Sequence, residues 1–552
     1  MSASLAKNYT SAWRRRDSCN IRHSQRGAFA LNFNTTRDHG GYRDVFVPSG
    51  FFRKPIILTP YIPSGVQILR TMYAVSGATN GTQDGLTLAT AFSSFEQVES
   101  NAIAGDDWLL EGLFDEPNTV WVGRNGAHGT AAHPILMRTR PGATMATLKL
   151  GGGNNGNQTI NFGSSGLDSH RWFVNLRIQV QPGTDGSGAR FTNANYNKMI
   201  GCVLDGAGYL STNCAHNEMW DCSSVGDYGS QQGNAGDGLA VRDGSTFHRI
   251  MRHRFLGNYA HVAMNHQDAF GGAPVTDCEV FDCDVQNPWA GGMHFIHGVT
   301  RTHIHWNRVT NIFTNPSQIY QVGSNECSEI ASDHNLIEFN MYYGGGGRGL
   351  ALESLAVFGL PEVCFNNIVR HNVMAFNGTR GMQMASANGV NGTDIANNKF
   401  YNNIIWANNR TVFPTPSNDP NYNDSGGYVF GKYFAVYLNL SQCNPGTHWA
   451  IGQFYGNEWK NNFFGVDPSV DHADFMVLDR DTNAFSFYTD ADLIAGGGGG
   501  NNIVGGLPNI TSPTNFHLLA ASTLIDAGYS PGDVAFLGAK PDIGIFEYGG
   551  SD

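Results

Sequence analysis

Short apolar runs that alternate with polar residues recur along the middle of the chain. Six of them align on two apolar residues spaced two apart, with QIYQVG the weakest match: GLAVRD (238–243), HVAMNH (261–266), GMHFIH (292–297), QIYQVG (318–323), GLALES (349–354) and GMQMAS (381–386). A period of two is typical of a β-strand with one face in the core. The runs begin 23 to 32 residues apart, which suits a coil of three short strands and three turns. We therefore predict a solenoid.

The alignment also predicts which side chains share a face. The residues expected to point into the coil are Leu239, Val241, Val262, Met264, Met293, Phe295, Leu350, Leu352, Met382 and Met384. A β-sandwich is disfavoured because two-residue hairpin turns are sparse. A helical protein is disfavoured by 69 glycines and only 14% charged residues. An all-β parallel β-helix remains.

Asparagine recurs at the expected turns between these strands. Examples are NKMIGCVLDG (197–206), FNNIVRHNVMAFNGTRGMQM (365–384) and IANNKFYNNIIWANN (395–409). The asparagine side chain tolerates tight turns and can bond the neighbouring backbone. On stacked coils we also expect it to bond the equivalent asparagine of the next coil.

Charge is distributed unevenly along the chain. Residues 1–65 contain ten Lys/Arg and three Asp/Glu, whereas the net charge of the whole chain is −12. The acidic body is a poor nucleic-acid binder, because phosphate contacts need clustered cations. We interpret the basic, aromatic residues 1–65 as a segment that attaches to a partner, with a plain solvated segment as the alternative. No run of about 18 apolar residues predicts a membrane helix.

The N-terminus lacks the apolar core of a secretory signal. Either a signal is missing from this sequence, or the protein leaves its cell without one, as a virion protein released by lysis would. The nine cysteines form no C-x-x-C pair, which disfavours a zinc site. Cys202 and Cys364 lie in apolar runs, so we expect core thiols and not a disulfide framework.

Both ends of the periodic region resemble a known superfamily. Residues 72–114 (MYAVSGATNGTQDGLTLATAFSSFEQVESNAIAGDDWLLEGLF) and 129–142 (GTAAHPILMRTRPG) resemble the opening of carbohydrate-active and phage tailspike-like proteins with the pectate-lyase-like fold. Residues 515–550 resemble their closing motif. The resemblance implies a single-stranded right-handed parallel β-helix whose N-terminal helix covers the open core, preceded here by a short irregular segment.

These patterns divide the chain into four parts. They are a basic attachment segment (1–65), the cap and first coils (66–165), the central coils with the candidate site (166–410), and C-terminal coils with long loops and the closing motif (411–552).

The aligned strands place polar residues in columns on the outer face. One column reads Asp243, His266, His297, Ser354 and Ser386, and the column before it reads Arg242, Asn265, Ile296, Glu353 and Ala385. Neighbouring coils lie ~4.8 Å apart, so Asp243 and His266 are expected to be neighbours. A carboxylate beside an imidazole suits proton transfer near neutral pH, and an arginine can neutralise a uronate carboxylate. The alternative is that these outward polar residues have no function.

From these columns we predict two groups of site residues. The catalytic candidates are Arg242, Asp243, His266, Asp268 and His297. The substrate-binding candidates are His261, Asn265, Trp289, His294 and Glu353.

The type of reaction stays open. Glycoside hydrolysis needs two carboxyl groups roughly 5–9.5 Å apart, which Asp268 could provide with Asp243 or Asp237. Glu353 lies about four coils from Asp243, or roughly 19 Å, which excludes that pair.

Residues 238–257 resemble the arginine-bearing coil of the chondroitinase B and alginate lyase family, which implies Arg242 as a catalytic arginine. Asp243 replaces that family's histidine, and residues 216–229 lack its lysine base and its acidic calcium-binding pair. We predict no cofactor, with Ca²⁺ left open. A metal site at His266 and His297 is a further alternative. We interpret His303 and His305 as surface residues of another strand.

Three functions fit these patterns. The first is a virion-associated, tailspike-like protein that binds a bacterial surface polysaccharide and depolymerises it as a lyase or glycoside hydrolase. The second is a non-catalytic structural or adhesive β-helix of a virion or cell surface. The third is a secreted bacterial polysaccharide lyase. The expected location is extracellular or on a virion tail or capsid surface, with a tail adaptor as partner of 1–65 and a homotrimer as one oligomeric option.

Overall fold

The computed structural model describes most of residues 66–549. The internal stretches left out of the description are 80, 117–127, 151–159, 163–168, 180–187, 206–207, 226–237, 257–259, 265–272, 287–290, 311–326, 346–347, 355–363, 378–379, 387–394, 409–431, 441–455, 466–470, 480–483, 490, 493–498, 513–514 and 533–535. The predicted attachment segment, 1–65, also lies outside the described residues.

The strands, numbered β1 to β43 in chain order, stack into three long sheets. The first sheet contains β1 (Arg70–Val75), β2 (Asp106–Glu111), β4 (Ile135–Thr139), β7 (Arg171–Val174), β10 (Lys198–Ile200), β13 (Glu218–Trp220), β16 (Arg249–Met251), β19 (Glu279–Phe281), β22 (His303–His305), β25 (Leu336–Glu338), β29 (Ile368–Arg370), β33 (Lys399–Tyr401), β36 (Glu458–Lys460) and β40 (Gly499–Gly500).

The second sheet contains β3 (Leu113–Glu116), β5 (Thr147–Leu150), β8 (Arg177–Gln179), β11 (Val203–Asp205), β14 (Ser223–Val225), β17 (Arg254–Leu256), β20 (Asp284–Gln286), β23 (Arg308–Thr310), β26 (Met341–Tyr343), β30 (Val373–Ala375), β34 (Ile404–Trp406), β37 (Phe463–Gly465) and β41 (Ile503–Val504). The third sheet contains β6 (Ile160–Phe162), β9 (Ala189–Thr192), β12 (Tyr209–Thr212), β15 (Leu239–Arg242), β18 (Ala260–Met264), β21 (Gly291–Thr300), β24 (Ser328–Asp333), β27 (Arg348–Ser354), β31 (Arg380–Ser386), β35 (Lys432–Leu440), β38 (Asp471–Asp479) and β39 (Ala484–Tyr488).

Four further short strands complete the set: β28 (Cys364–Phe365) pairs with β32 (Ile395–Ala396), and β42 (Ile510–Ser512) pairs with β43 (Asn515–Leu518). From β4 onward the chain visits the first, second and third sheets in turn and then begins the next coil. Strand pairing within the three long sheets is parallel except between β38 and β39. The predicted fold class is confirmed: the protein is a right-handed parallel β-helix.

One continuous hydrophobic core runs along the inside of the coils. It extends from Met72 in β1 to Phe475 in β38 and includes every inward residue predicted from the aligned runs. The register confirms that alignment, since Leu239 pairs with Val262 and Val262 with Met293. Each stacked strand therefore buries its apolar face against the coil before and the coil after it.

Asparagine ladders hold the turns of successive coils together, as the sequence predicts. Asn340 donates from Nδ2 to Oδ1 of Asn372 at 3.0 Å, and Asn372 donates in the same way to Asn403. The spacing along the chain varies from 20 residues between Asn197 and Asn217 to 59 between Asn398 and Asn457. The number of residues per coil therefore changes while the ladder position is kept.

The described cysteines are buried free thiols inside the coils, which confirms the expectation of core thiols. Cys202, Cys222 and Cys283 occupy the turn between first-sheet and second-sheet strands, the same position that Asn307 fills on the next coil. The backbone N–H of Cys283 donates to Oδ1 of Asn307 at 3.0 Å. Thiol and amide are thus alternatives at one interior turn position.

A short helix, α1 (Phe95–Asn101), lies near the N-terminal end of the stack. Ser94 accepts from the backbone N–H of Gln97, whose side chain bonds back to the Ser94 backbone, a capping box that begins the helix. Phe95 and Val98 join the core, and Phe95 meets the ring of Phe114 edge-on at 6.3 Å. A 3₁₀ turn at Leu88–Thr90 precedes it.

The segment after β41 packs along the side of the coils. Phe516, Leu524 and Ile543 join a second hydrophobic cluster with Phe339 and Ile404 of the coil corners and strands. His371 Nδ1 lies 3.0 Å from the carbonyl oxygen of Gly544, and Tyr529 N donates to Asn402 at 2.6 Å. This segment therefore bridges several coils. Among the described residues, no helix has the length and apolar character needed to cross a bilayer.

Candidate functional site

The predicted site lies on the outer face of the third sheet. β15 pairs with β18, β18 with β21, β21 with β24, and β24 with β27, all parallel. The prediction that 318–323 supplies the coil between 292–297 and 349–354 is wrong. The strand in that place is β24, where Ser328 and Ile330 pair with Leu350 and Leu352. The four-coil distance from Asp243 to Glu353 is confirmed by this strand order.

The structure describes four of the ten predicted site residues with their side chains. Arg242 is the last residue of β15 and is 3% exposed, while Asp243 follows it in a left-handed turn with φ of 46°. His294 in β21 and Glu353 in β27 are buried. His261 and His297 lie on β18 and β21, but their side chains are outside the described set. Asn265, His266, Asp268 and Trp289 lie outside the described residues, so the predicted contact of Asp243 with His266 stays a prediction.

A row of ionic side chains occupies this outer face farther along the stack. His294 Nδ1 lies 4.0 Å from Oε2 of Glu329, its register partner on β24. Arg348 donates from Nη1 to Oε1 of Glu353, which also accepts from Nε2 of Gln383 at 2.9 Å. All five are buried. His294, Glu329, Glu353 and Gln383 alternate with the inward residues of their strands and so belong to the outer face. Burying charges costs free energy, so such a row is retained only where ionic partners meet.

Two carboxylates of this row lie on adjacent coils. Glu329 pairs with Ala351 across β24 and β27, and Glu353 is two residues farther along β27 on the same face. With strands ~4.8 Å apart and ~3.3 Å of rise per residue, their Cα atoms are about 8 Å apart. Both side chains project from the same outer face, Glu329 toward His294 on the preceding coil and Glu353 toward Gln383 on the following one.

Sequence reasoning missed Glu329, Arg348 and Gln383. Glu329 was missed because the run chosen for its coil was 318–323, nine residues too early by the register of Ser328 with Met293 and Leu350. The signal was present, because Ser328, Ile330 and Ser332 alternate with Glu329 and Ala331 in SEIASD. Arg348 precedes the aligned run GLALES, and its contact with Glu353 five residues later follows only from the folded strand.

The His294 ring occupies the space that a side chain at Gly291 would fill. The ring lies over Gly291 at the beginning of β21, and a Cβ at that position would overlap its Nε2. Glycine is therefore required here for the imidazole to turn toward Glu329.

A polar pocket of about 270 Å³ lies beside the turn that contains Asp243, at the ends of β9, β12 and β15. Its lining residues are Asn193, Asn195, Asn213, Cys214, Ala215 and Gly244. Asn213 N donates to the carbonyl oxygen of Arg242 at 3.3 Å, which connects the pocket wall to the predicted site. Its amide groups are donors and acceptors suited to sugar hydroxyls.

A second ionic network crosses the outer face of the first sheet, around the histidines predicted as surface residues. Arg249 donates to Glu279 at 2.8 Å, and His305 Nε2 lies 3.2 Å from the other oxygen of Glu279. His303 Nε2 lies 2.9 Å from Glu338, which also accepts from Arg370 at 2.7 Å. The two imidazole rings stack with centroids 3.8 Å apart.

Burial and charge shift the pKa values of this network. Burial lowers the pKa of His305 to about 4, with help from the neighbouring His303. Burial by itself would raise the pKa of Glu279, but the hydrogen bond with His305 and the charge of Arg249 outweigh it and lower the pKa to about 2. Burial likewise opposes ionisation of Glu338, yet Arg370 and His303 hold its pKa well below the usual range.

No family model and no curated protein matches the chain. Solved structures do resemble it. Pectate lyase Pel9A is 13% identical with a TM-score of 0.40, over 88% of this chain and 98% of that one. Bacteriophage CBA120 tailspike protein 3 is 12% identical with a TM-score of 0.43, over 79% of this chain. The match spans 62% of the tailspike, less than two thirds of its length.

PfbA, a surface adhesin of Streptococcus pneumoniae, is 9% identical with a TM-score of 0.41, over 75% of this chain and 94% of that one. At these identities and scores the fold is established by the parallel strand pairing of the chain itself. These similarities do not extend to the chemistry of the site, which depends on the residues of this chain.

Proposed function

We propose that this protein binds a bacterial surface polysaccharide and cleaves it by hydrolysis at the third sheet. The observation that carries the proposal is the pair of carboxylates, Glu329 and Glu353, on one outer face of adjacent coils. Hydrolysis of a glycosidic bond needs one carboxyl group as acid and a second as base or nucleophile. With Cα atoms about 8 Å apart on one face, the two side chains can place their carboxyl groups at the roughly 6.5–9.5 Å spacing that an inverting reaction uses to hold its water.

The partners of the two carboxylates suggest how the roles are divided. Glu353 is the anion of an ion pair with Arg348, which suits the base that takes a proton from the attacking water. Glu329 lies beside His294, with Oε2 4.0 Å from the imidazole Nδ1, and we assign it the proton donated to the departing sugar oxygen. Water attacks the anomeric carbon, its proton passes to Glu353, and the glycosidic bond breaks.

The shape of a β-helix also supports a polymeric substrate. Its side is a long regular face on which equivalent positions repeat every ~4.8 Å, about the scale of a sugar ring. The amide-lined pocket around Asn195 and Asn213 lies on the same side of the stack, toward its N-terminal end. It would bind sugar units beyond the point of cleavage.

Burial of the ionic row favours a second candidate, a non-catalytic polysaccharide-binding β-helix. Glu353 is only 7% exposed and Glu329 9%. In that case the row stabilises the coils, and binding occurs elsewhere on the face. Attachment through 1–65, a virion or extracellular location and a homotrimer remain predictions.

The test is digestion of a panel of bacterial capsular, lipopolysaccharide and uronate polymers. We expect wild-type protein to shorten at least one polymer and release reducing ends without the ultraviolet absorbance of an unsaturated uronate. Glu353→Gln and Glu329→Gln should each lower the rate by about 10²–10⁴-fold. Asp284→Asn is the matched control, because Asp284 is also buried and ion-paired, with Arg308 on the second sheet.

Each other outcome has a distinct meaning. Unsaturated products would show that the polymer is cleaved by elimination and not by hydrolysis. Arg242 and the histidines near it would then be the catalytic candidates. Binding without shortening would support the non-catalytic candidate. Full activity of both glutamine variants would overturn the assignment of the site.

A further inference from the structure

The network on the first sheet contains a set of donors suited to a metal ion. His303 and His305 project from one face of β22, and Glu279 projects from β19 on the preceding coil. One nitrogen of each histidine and one carboxylate oxygen of Glu279 lie within 4.8 Å of one another. Around an ion with bonds of about 2.0–2.2 Å, ligand atoms lie roughly 3.3–3.6 Å apart. The two imidazole planes are stacked at 8° to each other, so the rings must turn about their side-chain bonds for both nitrogens to face one ion.

We propose that Glu279, His303 and His305 form a binding site for a divalent transition metal of the Zn²⁺ class. Two imidazole nitrogens and one carboxylate oxygen suit zinc, cobalt or nickel. Calcium and magnesium prefer sites made of oxygen alone. Water would complete the coordination sphere.

The strand geometry explains why these three side chains converge. Residues two apart on a strand share a face, so the histidines lie side by side. The parallel register sets Glu279 opposite His303 and Phe281 opposite His305. Phe281 stacks on the His305 ring with centroids 5.1 Å apart and so lies against one side of the cluster.

Groups around the donors would orient them. Arg249 donates to Oε2 of Glu279 at 2.8 Å, which leaves Oε1 facing His305. Glu338, itself bound by Arg370, lies 2.9 Å from Nε2 of His303 and can fix that ring so that its other nitrogen faces the ion. Carboxylate partners of ligand histidines commonly have this role.

This site is separate from the proposed hydrolytic pair. Glu279 and the two histidines lie on the first sheet, whereas Glu329 and Glu353 lie on the third. A metal here would link β19 to β22 and so stabilise two coils. It would take no part in cleaving the polymer.

The test uses the full-length protein, freed of metal with a chelator and then titrated with zinc chloride in a calorimeter. We expect one equivalent of Zn²⁺ to bind with micromolar or tighter affinity in wild type and to be lost in His305→Asn. Glu279→Gln should lower the affinity for that Zn²⁺ ion at least tenfold. His334→Asn is the control, because His334 is also next to a carboxylate, Asp333, but lies outside the cluster.

Two further measurements keep the result decisive. Co²⁺ added in place of zinc should give visible absorption bands in wild type that are missing in His305→Asn. Zinc should also raise the Tm of wild type and of His334→Asn, but not of His305→Asn. If His305→Asn does not fold, the same zinc titration and Tm measurements are made on Glu279→Gln and His303→Asn. An unchanged number of zinc equivalents in the folded variants would overturn the site.

Discussion

Asn372 on one coil donates from its side-chain amide to Oδ1 of Asn403 on the next, at 3.0 Å, with both residues sealed from solvent. The same amide also donates to the carbonyl oxygens of Ile337 and Arg370. Oδ1 of Asn372 accepts from the backbone and side chain of Asn340. One side chain thus satisfies polar groups of three successive coils.

Asn372→Ala should therefore destabilise the protein strongly. The change leaves the backbone N–H of Asn340 and the carbonyl of Ile337 without these partners inside the core, at a cost of about 2–4 kcal/mol. We expect a clearly lower urea midpoint, measured by circular dichroism. Asn101→Ala, at the exposed end of α1, should change the midpoint little. Equal effects of the two changes would contradict the ladder's role.

Acid should weaken the fold through His248. Its ring is buried, with Nε2 2.7 Å from the Ser211 hydroxyl and Nδ1 3.1 Å from the Thr246 carbonyl oxygen. Burial lowers its pKa to about 4, whereas the unfolded chain takes up the proton near 6.5. The unfolded state therefore binds more protons between these values, and stability falls as pH drops through this window, by on the order of 3 kcal/mol.

His248→Asn should flatten that pH dependence. Asn217 and Asn335 fill the equivalent turn on other coils, so asparagine suits the position. The measurement is the urea midpoint at several pH values between 4 and 6.5. His334→Asn, whose side chain is 43% exposed, should leave the slope as it is in wild type. A slope unaltered by His248→Asn would refute the assignment.

The segment that packs on the side of the coils should contribute to their stability. Phe516 is 2% exposed within the second cluster and meets the Trp406 ring edge-on at 6.4 Å. Phe516→Ala should cost about 3–5 kcal/mol, the usual cost of such a cavity. Leu519→Ala, at a residue that is 48% exposed, is the control in the same thermal or urea unfolding experiment. If Phe516→Ala lowers the free energy of unfolding no more than Leu519→Ala does, the segment is only loosely attached to the coils.

The buried cysteines should react only when the coils open. Seven thiols are described, all buried: Cys202, Cys214, Cys222, Cys278, Cys283, Cys327 and Cys364. Burial raises the pKa of Cys278 to about 12, which further suppresses its reactive thiolate. Native protein treated with a thiol reagent should leave these seven unlabelled in a peptide map, and denatured protein should label them. Rapid native labelling of Cys283 would contradict the packing.

The alternation of apolar residues and the recurrence of asparagine were enough to predict the coils, the inward side chains and the ladders. These features repeat with a local period, and a local period is visible in a sequence. The likeness of Cys202 to Asn307 was not visible, because the two residue types share a position only after the coils are stacked. Because the number of residues per coil varies, counting residues along the sequence does not match Cys202 with Asn307.

The ionic row was decided by tertiary structure alone. Arg242, His294 and Glu353 were predicted as site residues from the aligned runs, but Glu329 was missed because the run 318–323 was assigned to its coil. When the wrong segment is assigned to one coil of a solenoid, the predicted outward neighbours on the adjoining coils are wrong as well. A site built from several coils therefore cannot be located until the hydrogen-bonded register is known. The sequence by itself determined that the chain winds and which side chains fill its core. Only the stacked backbone brought Glu329 beside Glu353, and Glu279 beside two histidines, because each group comes from neighbouring coils whose strands are separated in sequence by the other two strands of a coil.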